Sequence, residues 1–197
     1  MIVNCFLFYF YKKLFPLFPF NSTIISTLHF ILREINPEIV SKVFSTCKDN
    51  EIMQHLNIET LDLLEIEKEK LKKGISSYHF TFLYFQILEK KSNEIFGWCG
   101  YHTWIPKHQK AEIGYVINNH KNWGKGIMKE VLPRVLKFGF EEMNLHRIEA
   151  MTAKENLVSK KLLLNNGFIY EGLLRKNYLK NQVFEDSEMY SLLADSC

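Results

Sequence analysis

The chain has 197 residues, of which 47% are hydrophobic and 24% charged, and it is long enough to bury the core of an ordinary globular protein. Its formal net charge of +3 is too small to indicate nucleic-acid binding, so we expect no nucleic-acid partner. Its four cysteines (Cys5, Cys47, Cys99 and Cys197) form no Cys-x-x-Cys pair, and no histidine cluster has zinc spacing. We therefore expect free thiols, no metal and a cytoplasmic protein.

The first twenty residues are rich in Phe, Leu and Tyr, but two lysines interrupt them and two prolines follow. No run reaches the roughly 18 apolar residues that a membrane span needs, and the residue order of a signal peptide is missing. We interpret residues 1–22 as an extension that packs on the domain or on a partner, and residues 23–197 as a single domain. A peripheral membrane contact of residues 1–20 is the less favoured alternative.

The next stretch predicts a strand and two helices. Ile24–Ile35 is dense in strand formers and predicts the first strand. Asn36-Pro37-Glu38 predicts a helix start, because Asn is a good N-cap, Pro fits the first helical position and an acid suits the first turn. A second helix is predicted from Thr60 to a C-cap at Gly74, with the charged residues 65–73 on its solvated side.

Two aromatic and aliphatic runs, residues 78–89 and 94–105, predict a hairpin around the polar turn 90–93. Cys99 lies in the second run and is interpreted as a small buried side chain. Residues 112–117 predict the following strand.

A long helix is predicted over residues 127–143 from its apolar stripe. Pro133 lies inside it, so we expect a distortion or a later helix start. The remaining pattern predicts a strand, a helix and a closing hairpin with its turn at Asn181-Gln182, at residues 146–153, 156–165 and 169–193.

Gly124 and Gly126 lie between a predicted strand and a predicted helix. A helix N-terminus presents unpaired N–H groups and partial positive charge, and glycines let a ligand approach the backbone closely. The pattern is compatible with a phosphate site and with an ordinary tight turn.

The segment Lys121-Asn122-Trp123-Gly124-Lys125-Gly126 resembles the acetyl-CoA signature Gln/Arg-x-x-Gly-x-Gly/Ala of the GNAT superfamily of N-acetyltransferases, with Lys121 at the Gln/Arg position. The Trp-Gly-Lys-Gly form is similar to the branch that contains the ribosomal-protein alanine and serine N-acetyltransferases. The opening strand, the motif Asn156-x-x-Ser159 and the closing run 167–175 resemble the same branch. The resemblance covers residues 24–193.

The resemblance implies an α/β (α+β) fold with a mixed, mostly antiparallel sheet of six to seven strands, helices on both faces, and two central parallel strands that splay apart. It implies acetyl-CoA as co-substrate and a primary amine as acceptor, with a protein N-terminal α-amine favoured. Antibiotics, polyamines and amino acids remain alternative acceptors, and a non-catalytic acyl-CoA-binding module is an alternative of another class. A monomer and a homodimer are both compatible with the sequence.

Glu112 is the candidate general base. An acyl transfer needs an uncharged amine, and apolar strand neighbours should raise the pKa of this carboxyl toward the working pH. Glu112 also matches the general-base glutamate of the family; the alternative is a glutamate that faces water or pairs with a lysine. Tyr115 is a possible general acid, but strand alternation turns it away from Glu112 and favours a core role.

Asn156 matches the family residue that contacts the pantetheine amide, and Ser159 matches a candidate general acid. For both residues, plain helix capping is the alternative. Further donor contacts are implied for a set of backbone and side-chain groups near the glycines: Val116, Ile117, Lys121, Asn122, Trp123, Gly124, Lys125, Gly126 and Ile127. Within this set, Lys125 adds charge or is simply exposed, and Trp123 contacts the donor or only packs.

Overall fold

The structure is a computed structural model that describes residues 20–74 and 81–194. Backbone contacts divide these residues into two compact units, residues 20–22 with 38–74 and residues 23–37 with 81–194. The described strands are β1 (Ile24–Ser26), β2 (Phe30–Ile35), β3 (Thr81–Glu89), β4 (Ile95–Ile105), β5 (Lys110–Ile117), β6 (Arg147–Ala153), β7 (Ile169–Lys180) and β8 (Val183–Leu193). The described helices are α1 (Pro37–Thr46), α2 (Asp49–Leu56), α3 (Leu61–Lys73), α4 (Ile127–Glu141) and α5 (Leu157–Asn165). Most of the predicted extension lies outside the described residues.

The unit that contains residues 38–74 has three helices in its described part, where the sequence predicted two. The Thr60 side chain caps α3, and Gly74 ends it at φ 93°, both as predicted. Helix α2 was not predicted, because its eight residues are too few for a clear period, and it ends at Asn57 in the left-handed conformation with φ 57°. Lys68 of α3 forms an ion pair with Asp49 of α2 at 3.1 Å, which links the two helices.

The predicted first strand over Ile24–Ile35 is in fact two strands, so that prediction was wrong in extent. The Thr27 N–H donates to the Phe30 carbonyl at 2.9 Å, and the chain reverses so that β1 pairs antiparallel with β2. The Lys90 Nζ donates to the Thr27 carbonyl from the β3–β4 turn. The described sheet therefore has eight strands rather than six to seven.

The sheet has the order β1-β2-β3-β4-β5-β6-β8-β7, and every neighbouring pair is antiparallel except β5 and β6. Helix α4 packs on one face of it. Tyr101 of β4 donates its hydroxyl proton to the Val135 carbonyl at 2.8 Å, and a Cβ at Gly139 would lie 2.2 Å from that hydroxyl oxygen. The buried core between helix and sheet includes Phe85, Ile87, Cys99, Ile113, Val131, Leu132 and Ile148. The mixed, mostly antiparallel sheet confirms the predicted fold class.

Pro133 and the Asn181-Gln182 turn are two places where single residues predicted the local backbone. Helix α4 begins at Ile127 without a shift, although Pro133 lies within it on its exposed side. The closing hairpin turns at Asn181 and Gln182, as predicted, with φ angles of 48° and 65°. These left-handed angles are those of a tight two-residue loop whose twist matches the flanking strands.

The parallel strands β5 and β6 pair over only three positions, which end at Glu112 opposite Glu149. Beyond Glu112, β5 continues to Ile117 in its pairing with β4, while β6 pairs on its other side with β8. The two parallel strands thus diverge, as the predicted splay requires.

The side of β5 turned away from β4, from Ile113 to Ile117, is called here the open edge. The Asn118 N–H donates to the Phe96 carbonyl of β4 at 2.9 Å. Because backbone groups alternate along a strand, the N–H and C=O groups of residues 113, 115 and 117 are directed to the open edge.

Cys99 is fully buried, as predicted, and both cysteines in the described ranges, Cys47 and Cys99, are free thiols. Cys5 and Cys197 lie outside those ranges. Among residues 20–74 and 81–194, no helix combines the length and the apolar character that crossing a membrane requires. Over the same residues, no three side chains of His, Cys, Asp or Glu are grouped to hold a metal ion.

Candidate active site

Gly124 and Gly126 form a bare turn in front of α4, called here the glycine turn. Their φ angles of 73° and 78° are left-handed, and a Cβ on either residue would have no atom within 4 Å. The N–H groups of Lys129 and Glu130 both bond to the Gly126 carbonyl, so the N–H groups of residues 127–128 lie ahead of the first hydrogen-bonded turn. The turn therefore leaves room for an anion to reach backbone N–H groups at the positive end of the helix dipole.

The polar side chains of the same segment have different roles. Asn122 is buried, and its Oδ1 accepts a hydrogen bond from the Lys125 Nζ at 2.9 Å, which holds the Lys125 ammonium group next to the glycine turn. Lys121 is exposed. The Lys125 ammonium group is thus the positive charge that the structure places next to the glycine turn.

Trp123 connects the glycine turn to the open edge. Its indole Nε1 donates to the Ile117 carbonyl at 3.0 Å, although 57% of the residue is exposed. That carbonyl is one of the groups directed to the open edge. Val116 differs, because alternation directs its backbone groups to β4 and its side chain is exposed on the sheet face.

Glu112 is the last residue of β5 that pairs with β6, and the open edge begins after it. Its side chain is only 17% exposed on the sheet face opposite α4. Burial, with a smaller contribution from the charge of Glu149, raises the pKa of Glu112 to about 7. The Glu112 Oε2 lies 3.7 Å from the Nδ1 of His102 on β4. A carboxyl in this state can accept and release a proton near neutral pH.

Glu149, the parallel partner of Glu112, is held by two cations. The Lys110 Nζ lies 3.3 Å from both of its carboxylate oxygens, and the Arg147 Nε donates to Oε1 at 2.8 Å. Arg147 also binds Glu171 through both terminal nitrogens, and this hydrogen bonding holds the pKa of Glu171 down to about 2. This fixed network keeps a negative charge beside Glu112.

Asn156 and Ser159 lie together at the start of α5. The Asn156 Oδ1 accepts from the Ser159 N–H at 3.1 Å, so Asn156 caps the helix and keeps its side-chain NH₂ as a donor. The Ser159 Oγ lies 2.7 Å from the Tyr115 hydroxyl. Burial raises the pKa of Tyr115. The two candidate acids therefore form one hydroxyl pair on the opposite face of β5 from Glu112, beside the open edge.

Sequence reasoning missed two rings on the face of the sheet that carries Glu112, those of His102 and Trp98. A Cβ at Gly114 would meet the His102 Nε2 at 3.0 Å and the Trp98 Cη2 at 3.3 Å, so this glycine gives both rings their space on the face of β5. The Tyr84 ring lies 5.7 Å from that of Trp98. The β4–β5 register places His102 directly opposite Glu112, and the sequence analysis did not predict that register.

These features together define a class of protein. They fit an acyl-CoA-dependent transferase. Such an enzyme needs a bare turn for the phosphates and an open strand edge for an extended arm that carries amides. It also needs proton-transferring groups, here a carboxyl that titrates near neutral pH and a pair of hydroxyls. Residues 29–169 match the acetyltransferase (GNAT) domain, and the chain belongs to the GNAT family of N-acetyltransferases, which use acetyl-CoA as co-substrate.

Known relatives support this assignment. The chain is 30% identical over 172 residues to the uncharacterized N-acetyltransferase YoaA of Bacillus subtilis (strain 168), across 86% of this chain and 96% of that protein. It is 28% identical over 106 residues to the ribosomal-protein-serine acetyltransferase of Escherichia coli (strain K12), across 54% of this chain and 59% of that protein. The crystal structure of the ribosomal-protein-S5-alanine acetyltransferase from Vibrio fischeri shares the fold, with a TM-score of 0.63 and 23% identity over 88% of this chain and 98% of that one. The resemblance to the ribosomal-protein branch is thereby supported.

Proposed function

We propose that this N-acetyltransferase moves the acetyl group from acetyl-CoA to the α-amine of a protein N-terminus, by direct attack of the amine with Glu112 as general base. The observation that carries the proposal is the state of Glu112, a mostly buried carboxyl with a pKa of about 7 at the start of the open edge. A base of this strength is half ionised near neutral pH and still accepts a proton from an ammonium group.

The donor end of the proposal rests on the glycine turn and the open edge. The diphosphate of acetyl-CoA binds the N–H groups of residues 124–127, because the Trp123 N–H already donates to the His120 carbonyl. Lys121 and Lys125 are the positive charges of this segment. The pantetheine arm lies along the open edge as an added strand and uses the backbone groups of Ile117, with the Asn156 side-chain NH₂ as a further donor. The Ile117 carbonyl is shared with Trp123, so the indole adjusts when the arm binds.

Acetyl-CoA supplies the activated acetyl thioester, and the protons are handled by this chain. Glu112 takes a proton from the incoming ammonium group on one face of β5. The hydroxyl pair of Tyr115 and Ser159 supplies the proton that the leaving thiolate needs on the other face. One proton per turnover leaves for the solvent, because an ammonium group and a thioester become an amide, a thiol and a proton.

The strength of the base supports an α-amine as acceptor. The pKa of an α-amine is about 8, whereas that of a lysine amine is about 10.4. A carboxylate with a pKa of about 7 lies within about one pH unit of the first and more than three units below the second. The similarity to the ribosomal-protein-serine acetyltransferase also supports a protein acceptor.

The test is a screen of acceptors with acetyl-CoA, scored by release of free thiol and by the mass of the acetylated product. Peptides with free N-termini should be acetylated, and the same peptides with blocked N-termini should not. Acetylation of polyamines, amino acids or aminoglycosides, with none of the free peptides, would replace the N-terminal acceptor by a small-molecule one.

Glu112→Gln tests the base in the same assay. Turnover should fall about 10²- to 10⁴-fold, and the limb of the kcat/KM profile with a midpoint near pH 7 should disappear. The limb has this sign because the protonated carboxyl cannot accept a proton, so wild-type activity falls as the pH drops through the pKa. The acetyl-CoA Kd should stay unchanged, and the exposed Glu142→Gln serves as control. Full turnover in Glu112→Gln would remove Glu112 from the mechanism.

A further inference from the structure

His102 is the group of the neighbouring strand that lies directly opposite Glu112. The two residues are paired in the β4–β5 register, with 3.7 Å between the His102 Nδ1 and the Glu112 Oε2. This separation is too long for a direct hydrogen bond, and the Nδ1 lies nearer to the Thr103 Oγ1, at 3.2 Å. The His102 side chain is 43% exposed, against 17% for Glu112, so the ring has the better access to water.

The other charged groups that the sheet strands bring to Glu112 do not serve as proton acceptors. Glu149 on β6 faces it with a like charge, which favours a proton on Glu112 and opposes its release. Lys110 on the same strand and Arg147 on β6 are cations already bound to Glu149. Among these groups, His102 alone can take up a proton as a neutral base.

The state of His102 suits that task. Burial lowers the pKa of the His102 imidazole from its ordinary value, which favours the neutral ring. A neutral imidazole has one nitrogen that accepts a proton and another that donates one. Gly114 leaves the space in which the Nε2 side of the ring lies, since a Cβ there would be 3.0 Å from that nitrogen.

We propose that His102 is a positioning residue for the acetyl transfer, which takes the proton from Glu112 in each turnover and releases it to solvent. The inference rests on the proposed function of Glu112 as base. The ammonium group of the acceptor gives one proton to Glu112, its nitrogen then forms the bond to the acetyl carbon, and the carbon–sulfur bond breaks. The Tyr115–Ser159 pair gives a proton to the leaving thiolate. The second proton that the acceptor nitrogen loses returns to this hydroxyl pair. The proton on Glu112 passes to the His102 Nδ1, and the proton on Nε2 leaves to water. Exchange of the ring protons with water then restores the starting tautomer, with Nδ1 free to accept again.

The test compares His102→Gln with the control His146→Gln, which carries the same substitution at an exposed histidine before β6. Both are assayed for kcat, KM of the acceptor and acetyl-CoA Kd. His102→Gln should lower kcat about 10- to 100-fold with little change in the acetyl-CoA Kd. Added imidazole should restore kcat in a concentration-dependent way, because a soluble proton acceptor replaces the missing ring. His146→Gln should retain wild-type kcat and gain nothing from imidazole.

A purely structural role of His102 would lower kcat without rescue by imidazole, and that result would overturn the inference, as would an unchanged kcat. If His102→Gln does not fold, as judged by a lost thermal transition, His102→Asn keeps a polar group near the position of Nδ1 and is assayed in the same way. Failure of this inference is distinct from failure of the proposed function. If only this inference fails, Glu112→Gln is inactive and His102→Gln is fully active. If the proposed function fails, Glu112→Gln itself is fully active.

Discussion

The properties of Glu112 come from its neighbours on the sheet. Burial raises its pKa, and the adjacent Glu149, fixed by Lys110 and Arg147, adds to that effect. The sequence motif alone identified Glu112 and predicted a raised pKa from its apolar neighbours. It did not identify Glu149 or His102, because both reach Glu112 through strand pairing and not through sequence proximity.

The Tyr115–Ser159 pair leads to a prediction at the level of single residues. If the two hydroxyls supply the thiolate with its proton, Ser159→Ala and Tyr115→Phe should each lower kcat about tenfold or more, with the acetyl-CoA Kd nearly unchanged. Steady-state kinetics with one good acceptor measures this. Ser45→Ala on the exposed face of α1 is the control. Wild-type kcat in both variants would show that this pair does not protonate the leaving group.

Among the elements, the start of α4 gives the clearest test of the donor site. Gly124→Ala places a methyl group in the space that the glycine turn leaves open, at a φ of 73°. Gly167→Ala is the matched control, because Gly167 also has a left-handed φ, 84°, and lies after α5. Both variants should lose about 1–2 kcal/mol of stability from the backbone conformation. Only Gly124→Ala should weaken acetyl-CoA binding, measured by calorimetry.

An equal acetyl-CoA Kd for Gly124→Ala and wild type would mean that the phosphates bind elsewhere. A loss of affinity in Gly167→Ala of the same size would mean that general destabilisation, and not the turn, determines binding.

Element boundaries show what local sequence signals can predict. Thr60 and Gly74 bound α3 as predicted, because a cap and a left-handed glycine act within a few residues. The reversal at Thr27 was missed, because the groups that bond to it, Lys90 and Glu130, are more than sixty residues away. A run of strand formers therefore predicts extended backbone but does not show where tertiary contacts fold it back.

At the scale of the whole molecule, Glu130 joins segments that are distant in sequence. Its carboxylate accepts hydrogen bonds from the Thr27 Oγ1 at 2.5 Å and from the His29 N–H at 2.7 Å, and it lies 2.8 Å from the His29 Nδ1. These contacts connect the β1–β2 turn to the first turn of α4. Partial burial acts to raise the pKa of Glu130, but the hydrogen bonds outweigh it and hold the pKa below the ordinary value.

Glu130→Ala should therefore lower the free energy of unfolding by roughly 1–3 kcal/mol at pH 7, measured by urea denaturation. Because the pKa of Glu130 is lowered in the folded state, its contribution is present above the unfolded value of about 4.3 and is lost as the pH falls through the folded value. The difference from wild type should shrink in acid. Glu141→Ala, at an exposed ion pair of the same helix, should change stability by less than about 0.5 kcal/mol. Equal losses of unfolding free energy in Glu130→Ala and Glu141→Ala would contradict a stabilising role of the Glu130 contacts.

The short pairing of β5 with β6 has a thermodynamic consequence. Since the two strands share only three positions, the open edge is where the proposed pantetheine arm would complete the sheet. A substrate that docks there acts as a temporary strand and binds the native chain but not the denatured one. By mass action it would raise the resistance to unfolding by about 2.7 kcal/mol at a hundred times its dissociation constant. The melting temperature of this enzyme should therefore rise with the concentration of acetyl-CoA.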